Sequence, residues 1–170
     1  MRKNEIFNTK NMVRLAVIAA MYVAITLAVP ALSYNAIQMR FSEMLVLLCF
    51  YRKDYAPAMI IACFISNLFS PFGLYDIIFG TLATAAAVLP MYHVKNIYIA
   101  ALLPVVSNGV IVGIELALCG EPLFFAMGTV ALGELIVMAA GSVIFKLVFE
   151  KNPVMMRLIG STKNNSTLNT

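Results

Sequence analysis

Six apolar runs separated by short polar connections constrain this sequence more than any other feature. The runs cover residues 12–32, 42–51, 55–70, 75–92, 97–119 and 123–149. About 20 apolar residues in a helix cross the hydrocarbon core of a bilayer. The second run would form a helix only about 15 Å long, about half of that core. The sequence therefore predicts an all-α, polytopic membrane protein with six transmembrane helices, of which the second is short.

The composition supports a membrane protein. Only 12% of the 170 residues are charged, against about 25% in soluble domains. A soluble domain of this size must cover a large surface with polar groups, so the low charged fraction excludes a soluble globular enzyme. The composition, with 62% hydrophobic residues and three cysteines, also excludes a disordered chain and a disulfide scaffold. Cys49, Cys63 and Cys119 lie singly in apolar runs, and we interpret them as small buried hydrophobic residues rather than metal ligands.

Basic residues concentrate in alternate connections, and this sets the expected orientation. The basic group is Arg2, Lys3, Lys10, Arg14, Arg52, Lys53, Lys95, Lys146, Lys151, Arg157 and Lys163. The other connections hold one basic residue, Arg40. Because cytoplasmic loops are enriched in Lys and Arg, both termini are predicted to be cytoplasmic in a bacterial plasma membrane. We expect a cytoplasmic segment over residues 1–11, a membrane domain over 12–150, and a cytoplasmic tail over 151–170 that is disordered at its end.

The beginning of the membrane domain carries two further expectations. Its first run follows a basic segment, but it is long for a signal peptide and is followed by more apolar runs, so we expect a spanning helix that is not cleaved. Because the chain has no Trp, the seven tyrosines, including Tyr22, Tyr51 and Tyr55, are expected to anchor the protein at the membrane interface.

The first run carries alanine at every fourth position, at Ala16, Ala20, Ala24 and Ala28. Four residues advance about 400° on an α-helix, so these alanines form one narrow stripe. Small side chains allow a second helix to approach closely in lipid. The stripe predicts a docking face for a partner protein, and packing within the protein's own bundle is the alternative.

Polar residues inside the runs are costly, since a charged side chain at the bilayer centre costs about 2.5–3.5 kcal/mol. Carboxylates in an apolar wall suit a ligand with N–H donors, such as a guanine-like edge or an amine, and a tyrosine ring can stack on a flat heterocycle. The candidate substrate-binding residues inside the runs are Glu43, Asn67, Asp76, Asn108, Glu115 and Glu134. The connection between the first two runs adds Tyr34, Gln38 and Arg40.

Several of these residues have a structural alternative. Asp76 is suited to an N-cap or a first-turn acid of its helix. Arg40 and Glu43 are close enough in sequence to form an ion pair that fixes a loop. Asn67 and Asn108 are suited to hydrogen bonds between helices. Glu115 and Glu134 have the weakest structural explanation, because no basic residue lies near either one in the sequence.

Catalytic motifs are missing from the sequence. It has no Gly-rich phosphate loop, no zinc-binding helix motif and no nucleophile elbow. With a single His, a histidine-based catalytic site is disfavoured. We therefore expect a binding or transport protein that is not an enzyme, holds no cofactor and binds no nucleic acid.

Three segments carry a resemblance to a known family. They read QMRFSE at residues 38–43, SNLFSPFGLYD at 66–76 and FGTLAT at 79–84. This pattern resembles the QueT family, the substrate-binding (S) components of energy-coupling factor (ECF) transporters. The central segment is the most specific part of the match, and the alanine stripe is similar to the family's docking face on its first helix.

The resemblance implies six helices and the uptake of a queuosine precursor, a deazaguanine such as pre-queuosine or queuine. It also implies a partner module of one transmembrane coupling subunit and two cytoplasmic ATPases, which would supply the energy that this chain cannot. Two other functions stay open: an S component for another vitamin, and a stand-alone proton-coupled carrier with Glu134 as its proton site.

Overall fold

The computed structural model describes residues 8–30 and 39–161. Within these ranges the chain forms helices and no strand, so the all-α prediction is confirmed for the part that is described. The helices are α1 (Thr9–Ala28), α2 (Phe41–Tyr51), α3 (Tyr55–Asn67), α4 (Asp76–Met91), α5 (Ile97–Leu118), α6 (Leu123–Phe149) and the short α7 (Pro153–Leu158).

The six apolar runs correspond to α1 to α6. Three of these helices, α1, α5 and α6, are long and apolar enough to cross a membrane, with 20, 22 and 27 residues. The other three are shorter apolar helices, and their crossing of the membrane stays a prediction. Large apolar side chains are exposed on several helices, for example Leu89, Val106 and Phe124. Such a surface is unusual on a soluble monomer and fits an integral membrane protein.

Local sequence sets the helix boundaries. The side-chain oxygen of Asn96 accepts a hydrogen bond from the backbone N–H of Tyr98 at 2.8 Å and caps the start of α5. Asn152 caps α7 in the same way, with Pro153 in the first turn. The turn from α5 to α6 contains Gly120 at a φ of 107°, a conformation that residues with a Cβ rarely adopt. The short turn between Leu118 and Leu123 makes α5 and α6 an antiparallel pair of neighbours.

Helix α2 lies in the centre of the bundle. Every residue from Val46 to Tyr51 is buried, so this part of the helix is enclosed on all sides. Its first seven residues, Phe41–Leu47, form a 3₁₀ helix, which rises about 2.0 Å per residue instead of about 1.5 Å. The short second run therefore extends further than an α-helix of the same length would.

The contact between α5 and α6 is a backbone contact. A Cβ atom added at Gly113 would lie 2.7 Å from the Cα of Met127, and one added at Gly109 would lie 2.9 Å from the Cβ of Ala131. Small residues allow this approach, as they do in other membrane helix pairs. Because Asn108, Glu115 and Glu134 lie on these two helices, the glycines set the distance between the candidate site residues.

The residues that follow α7 pack against the turn between α2 and α3. The hydroxyl of Tyr55 donates to the carbonyl oxygen of Ile159 at 2.9 Å. Arg52 Nη2 lies 2.6 Å from Asp54 Oδ2, and Arg52 Nη1 donates to the carbonyl oxygen of Gly160 at 3.4 Å. The tail is therefore held against the turn between α2 and α3 as far as Gly160, and residues 162–170 lie outside the described part of the chain. Tyr51 and Tyr55 are fully buried, so for these two the prediction of interfacial anchors is wrong.

Candidate functional site

A small polar cavity lies between α2, α5 and α6. It is lined by Arg40, Glu43, Asn108, Val112, Val130 and Glu134. Its volume is about 10 Å³, which is room for about one water molecule. Four of the predicted substrate-binding residues thus converge on one place, although three of them come from different apolar runs and Arg40 comes from the connection before the second run.

Arg40 and Glu43 form a buried pair at one wall of the cavity. Arg40 Nη1 lies 3.8 Å from Glu43 Oε1, and the hydroxyl of Tyr22 in α1 donates to the same carboxylate oxygen. The ion pair foreseen as an alternative role is therefore present, and both side chains also line the cavity. Because both side chains are buried, removal of either one would leave the other charge in the interior without compensation.

Glu134 faces the cavity from α6. Its side chain is buried, and it lies within hydrogen-bonding reach of Asn108 on α5. Its oxygen Oε1 has no hydrogen-bond partner among the described residues. Because a buried acceptor without a donor costs about 1–3 kcal/mol, this carboxylate is a group that a ligand can satisfy.

A second cluster of polar residues lies where α3 ends and α4 begins. Glu115 of α5 is fully buried beside Asp76 of α4. Asp76 accepts a hydrogen bond from the hydroxyl of Ser70 through Oδ2. The amide nitrogen of Asn67 donates to the backbone carbonyl oxygen of Asp76 at 2.8 Å. Asn67 therefore joins two helices, as its structural alternative foresaw.

Asp76 lies in the first turn of α4 and does not act as an N-cap. Tyr75 holds the N-cap position, one residue before Asp76, and residues Asp76–Gly80 form a π-helical turn. Such turns are rare and are frequent at functional sites. The N-cap alternative is thus wrong, while the position in the first turn is as expected.

The cavity and the second cluster of polar residues lie along one face of α5. Asn108 and Glu115 are seven residues apart, which is two helical turns or about 10 Å along the axis. The cavity beside Asn108 and the carboxylates beside Glu115 are therefore two ends of one polar strip through an apolar bundle.

This strip has many acceptors and few donors. The buried acceptor oxygens without a partner among the described residues are Asn67 Oδ1, Asp76 Oδ1, Glu115 Oε1, Glu115 Oε2 and Glu134 Oε1. Arg40 interacts electrostatically with all four buried acids of the strip, Glu43, Asp76, Glu115 and Glu134. Four carboxyl groups around one guanidinium favour a guest that brings N–H donors or positive charge, and they disfavour an anion.

The remaining predicted residues lie elsewhere. Tyr34 and Gln38 are outside the described residues. The alanines of the stripe, Ala16, Ala20, Ala24 and Ala28, are all exposed, so they face away from the described bundle rather than packing inside it.

Sequence reasoning missed the role of Tyr22. We expected an interfacial anchor, but the ring is fully buried and its hydroxyl contacts Glu43. Thr26, one turn later, contacts Ser42 at 2.6 Å between the hydroxyl oxygens. Two polar residues four positions apart in an apolar helix mark a buried face, and this spacing is the signal that could have identified Tyr22.

Gly80 allows Asn67 to reach Asp76. A Cβ at Gly80 would lie 2.6 Å from Asn67 Nδ2. We therefore expect Gly80→Ala to displace this amide and to lower the free energy of unfolding by about 1–3 kcal/mol. Thermal unfolding in detergent measures the change. Gly128→Ala is the matched control, because that site has nothing within 4 Å and gains the same helix propensity. Equal melting temperatures for the two variants would contradict the prediction.

Comparison with known proteins adds a family match. The family model described as "QueT transporter" matches residues 12–150. A curated relative, "Queuosine precursor transporter QueT" of Lactococcus lactis subsp. cremoris (strain MG1363), is 44% identical over 78 residues. That alignment covers 45% of this chain and 46% of the relative, so the chain spans about half the length of the curated relative it matches. No solved structure matches the chain.

Proposed function

The chain belongs to the QueT transporter family, and from this membership we propose that it is the substrate-binding membrane subunit of an ECF-type transporter that imports a queuosine precursor. The ligand is a deazaguanine such as pre-queuosine or queuine. The observation that carries the proposal is the set of buried acceptor oxygens without donors on Glu134, Glu115 and Asp76. A deazaguanine presents several N–H donors on a flat ring, and these would satisfy such acceptors.

The guanine edge fits the cavity end of the strip. Glu134 would accept the ring N–H and amino donors of that edge, and Asn108 beside it would add a hydrogen bond. Arg40 would donate to the ring carbonyl oxygen. The apolar walls from Val112 and Val130 would pack against the ring, as is usual in small-molecule sites.

The cavity must enlarge to take a bicyclic ligand. Its present volume of about 10 Å³ holds about one water molecule. We therefore expect binding to move the side chains between α2, α5 and α6. A ligand that binds only the form with the enlarged cavity increases the fraction of molecules in that form. The ligand itself would therefore stabilise the larger cavity.

Transport requires partners in this proposal. All six helices would cross the plasma membrane of a bacterium, with both termini in the cytoplasm. The exposed stripe from Ala16 to Ala28 would dock on the transmembrane coupling subunit through close helix packing. Two cytoplasmic ATPases would supply the energy, and this chain would need no cofactor of its own.

The test is ligand binding by the purified chain in detergent. Glu134→Gln is expected to weaken pre-queuosine binding about tenfold or more, since a hydrogen bond to a charged group contributes about 1.5–3 kcal/mol. Isothermal titration calorimetry gives the dissociation constants. Glu121→Gln is the control, because Glu121 is exposed in the turn before α6. If Glu134→Gln and Glu115→Gln both bind as tightly as the parent, the carboxylates are not the ligand contacts.

A second candidate function rests on the same unpartnered oxygen. A buried carboxyl group inside a membrane helix can carry a proton, which would make the chain a stand-alone proton-coupled carrier. Uptake by the chain alone in proteoliposomes, driven by a pH gradient, would support this function. Uptake only after addition of the coupling subunit and ATPases would reject it. A competition panel with other vitamins would distinguish a different ligand on the same architecture.

A further inference from the structure

The carboxyl groups of Asp76 and Glu115 form a buried acidic pair with no ion partner among the described residues. Asp76 is 1% exposed and Glu115 is fully buried. Asp76 Oδ1 and both oxygens of Glu115 accept no hydrogen bond from an N–H or hydroxyl donor there, and the two carboxyl groups lie within hydrogen-bonding reach of each other. The stretch 31–38, which the structure does not describe, contains no Lys or Arg.

The neighbours of this pair supply a further acceptor. Asn67 is fully buried and bonds the backbone of Asp76 through its nitrogen, while its oxygen Oδ1 has no partner among the described residues. This neutral amide is independent of the two acids, and it too needs a donor. Three neighbouring side chains thus each have at least one oxygen without a hydrogen-bond donor among the described residues.

The cation that interacts with this pair, Arg40, is shared with a third acid. Arg40 interacts electrostatically with Asp76 and Glu115, but its guanidinium lies 3.8 Å from Glu43. An ammonium group would meet both needs at the pair, since it has three N–H donors, no acceptor and a positive charge.

The spacing along α5 connects this pair to the cavity. Glu115 lies about 10 Å from Asn108 along the helix axis. That distance is comparable to the length of a bicyclic base that carries a short side arm opposite its guanine edge. A ligand with its ring edge at Glu134 would then have its arm near Glu115 and Asp76.

We propose that Asp76, Glu115 and Asn67 form a subsite for a protonated amine on the arm of the ligand. The inference rests on the proposed function and adds a selectivity to it. The chain prefers deazaguanines whose arm carries an amine over those whose arm is neutral. The amine leaves its hydration shell for two carboxylates, whereas a nitrile of similar size offers them no donor.

Two ligands with the same ring test this selectivity. Calorimetry compares the deazaguanine with an aminomethyl arm and its analogue with a nitrile arm on the purified full chain. We expect the parent to bind the amine at least about tenfold more tightly. Glu115→Gln should weaken binding of the amine ligand about tenfold and should change binding of the nitrile ligand less than twofold. We expect the same two effects from Asp76→Asn. Nitrile binding then shows that each variant is folded.

Glu134→Gln is the matched control. Both ligands present the same ring edge to Glu134, so this variant should weaken binding of the two ligands by a similar factor. Equal affinity of the parent for both ligands would overturn the amine subsite and leave the proposed function intact. The amine subsite would also be overturned if Glu115→Gln lost the same affinity for both ligands or lost affinity for neither. With no loss for either ligand, Asp76 and Glu115 only share a proton. If the folded parent binds neither ligand, the proposed function fails, and the subsite fails with it.

Discussion

Replacement of Arg40 by methionine is expected to lower the free energy of unfolding by about 3–5 kcal/mol. Arg40 is buried and lies 3.8 Å from the buried carboxylate of Glu43. Loss of one member of a buried ion pair leaves the other charge without compensation, and this is one of the most destabilising single changes. Methionine keeps much of the side-chain length, so the loss reflects charge more than volume.

A double-mutant cycle separates the charge from the packing. In Arg40→Met/Glu43→Gln the carboxylate that lies 3.8 Å from the guanidinium is neutralised as well, so we expect this double variant to recover part of the stability that Arg40→Met loses. Asp76, Glu115 and Glu134 still lack their interaction with Arg40, which is why the recovery is incomplete. The hydroxyl of Tyr22 can still donate to the new amide oxygen. Thermal or chemical unfolding in detergent measures each variant. If the double variant is less stable than Arg40→Met, the unpaired charge of Glu43 is not the cause of the lost stability.

Replacement of Gly113 by leucine is expected to separate α5 from α6. A Cβ at this position would lie 2.7 Å from the Cα and 3.0 Å from the backbone nitrogen of Met127. Backbone atoms cannot rotate away as side-chain atoms can, so the helices themselves must move. Overpacking costs about 1–3 kcal/mol in cores that adjust, and we expect at least the upper end here.

The same substitution should abolish ligand binding. Glu134 lies on α6 and Asn108 on α5, so a shift between the two helices breaks the cavity that both line. Gly128→Leu provides the control, since it adds the same side chain at an exposed position with nothing within 4 Å. We expect that variant to melt and to bind within experimental error of the parent. A Gly113→Leu chain that melts like the parent would refute the close contact.

Much of the site was accessible from the sequence because of the cost of burial. Glu115 and Glu134 stand out in apolar runs without a basic neighbour, and both are buried in the structure. Arg40 and Glu43 were foreseen as a pair. Tyr22 was not foreseen as a site residue, because a tyrosine in a membrane helix is equally compatible with an interfacial position.

The sequence alone determined which segments are helical and which polar groups need an explanation. Both follow from properties of single residues and short runs: apolar length sets the helices, and each polar side chain carries its own cost in lipid. The tertiary structure decided the partners. It placed α2 at the centre, brought Asp76 to Glu115, and gave Glu43 both Arg40 and Tyr22.

The physical reason lies in the composition of the helices. Where a helix is apolar on nearly every side, as α5 and α6 are, no periodic pattern reveals which face turns inward. Rotation and separation are then set by close packing, here at Gly109 and Gly113, and close packing depends on the shapes of two helices together rather than on either sequence by itself.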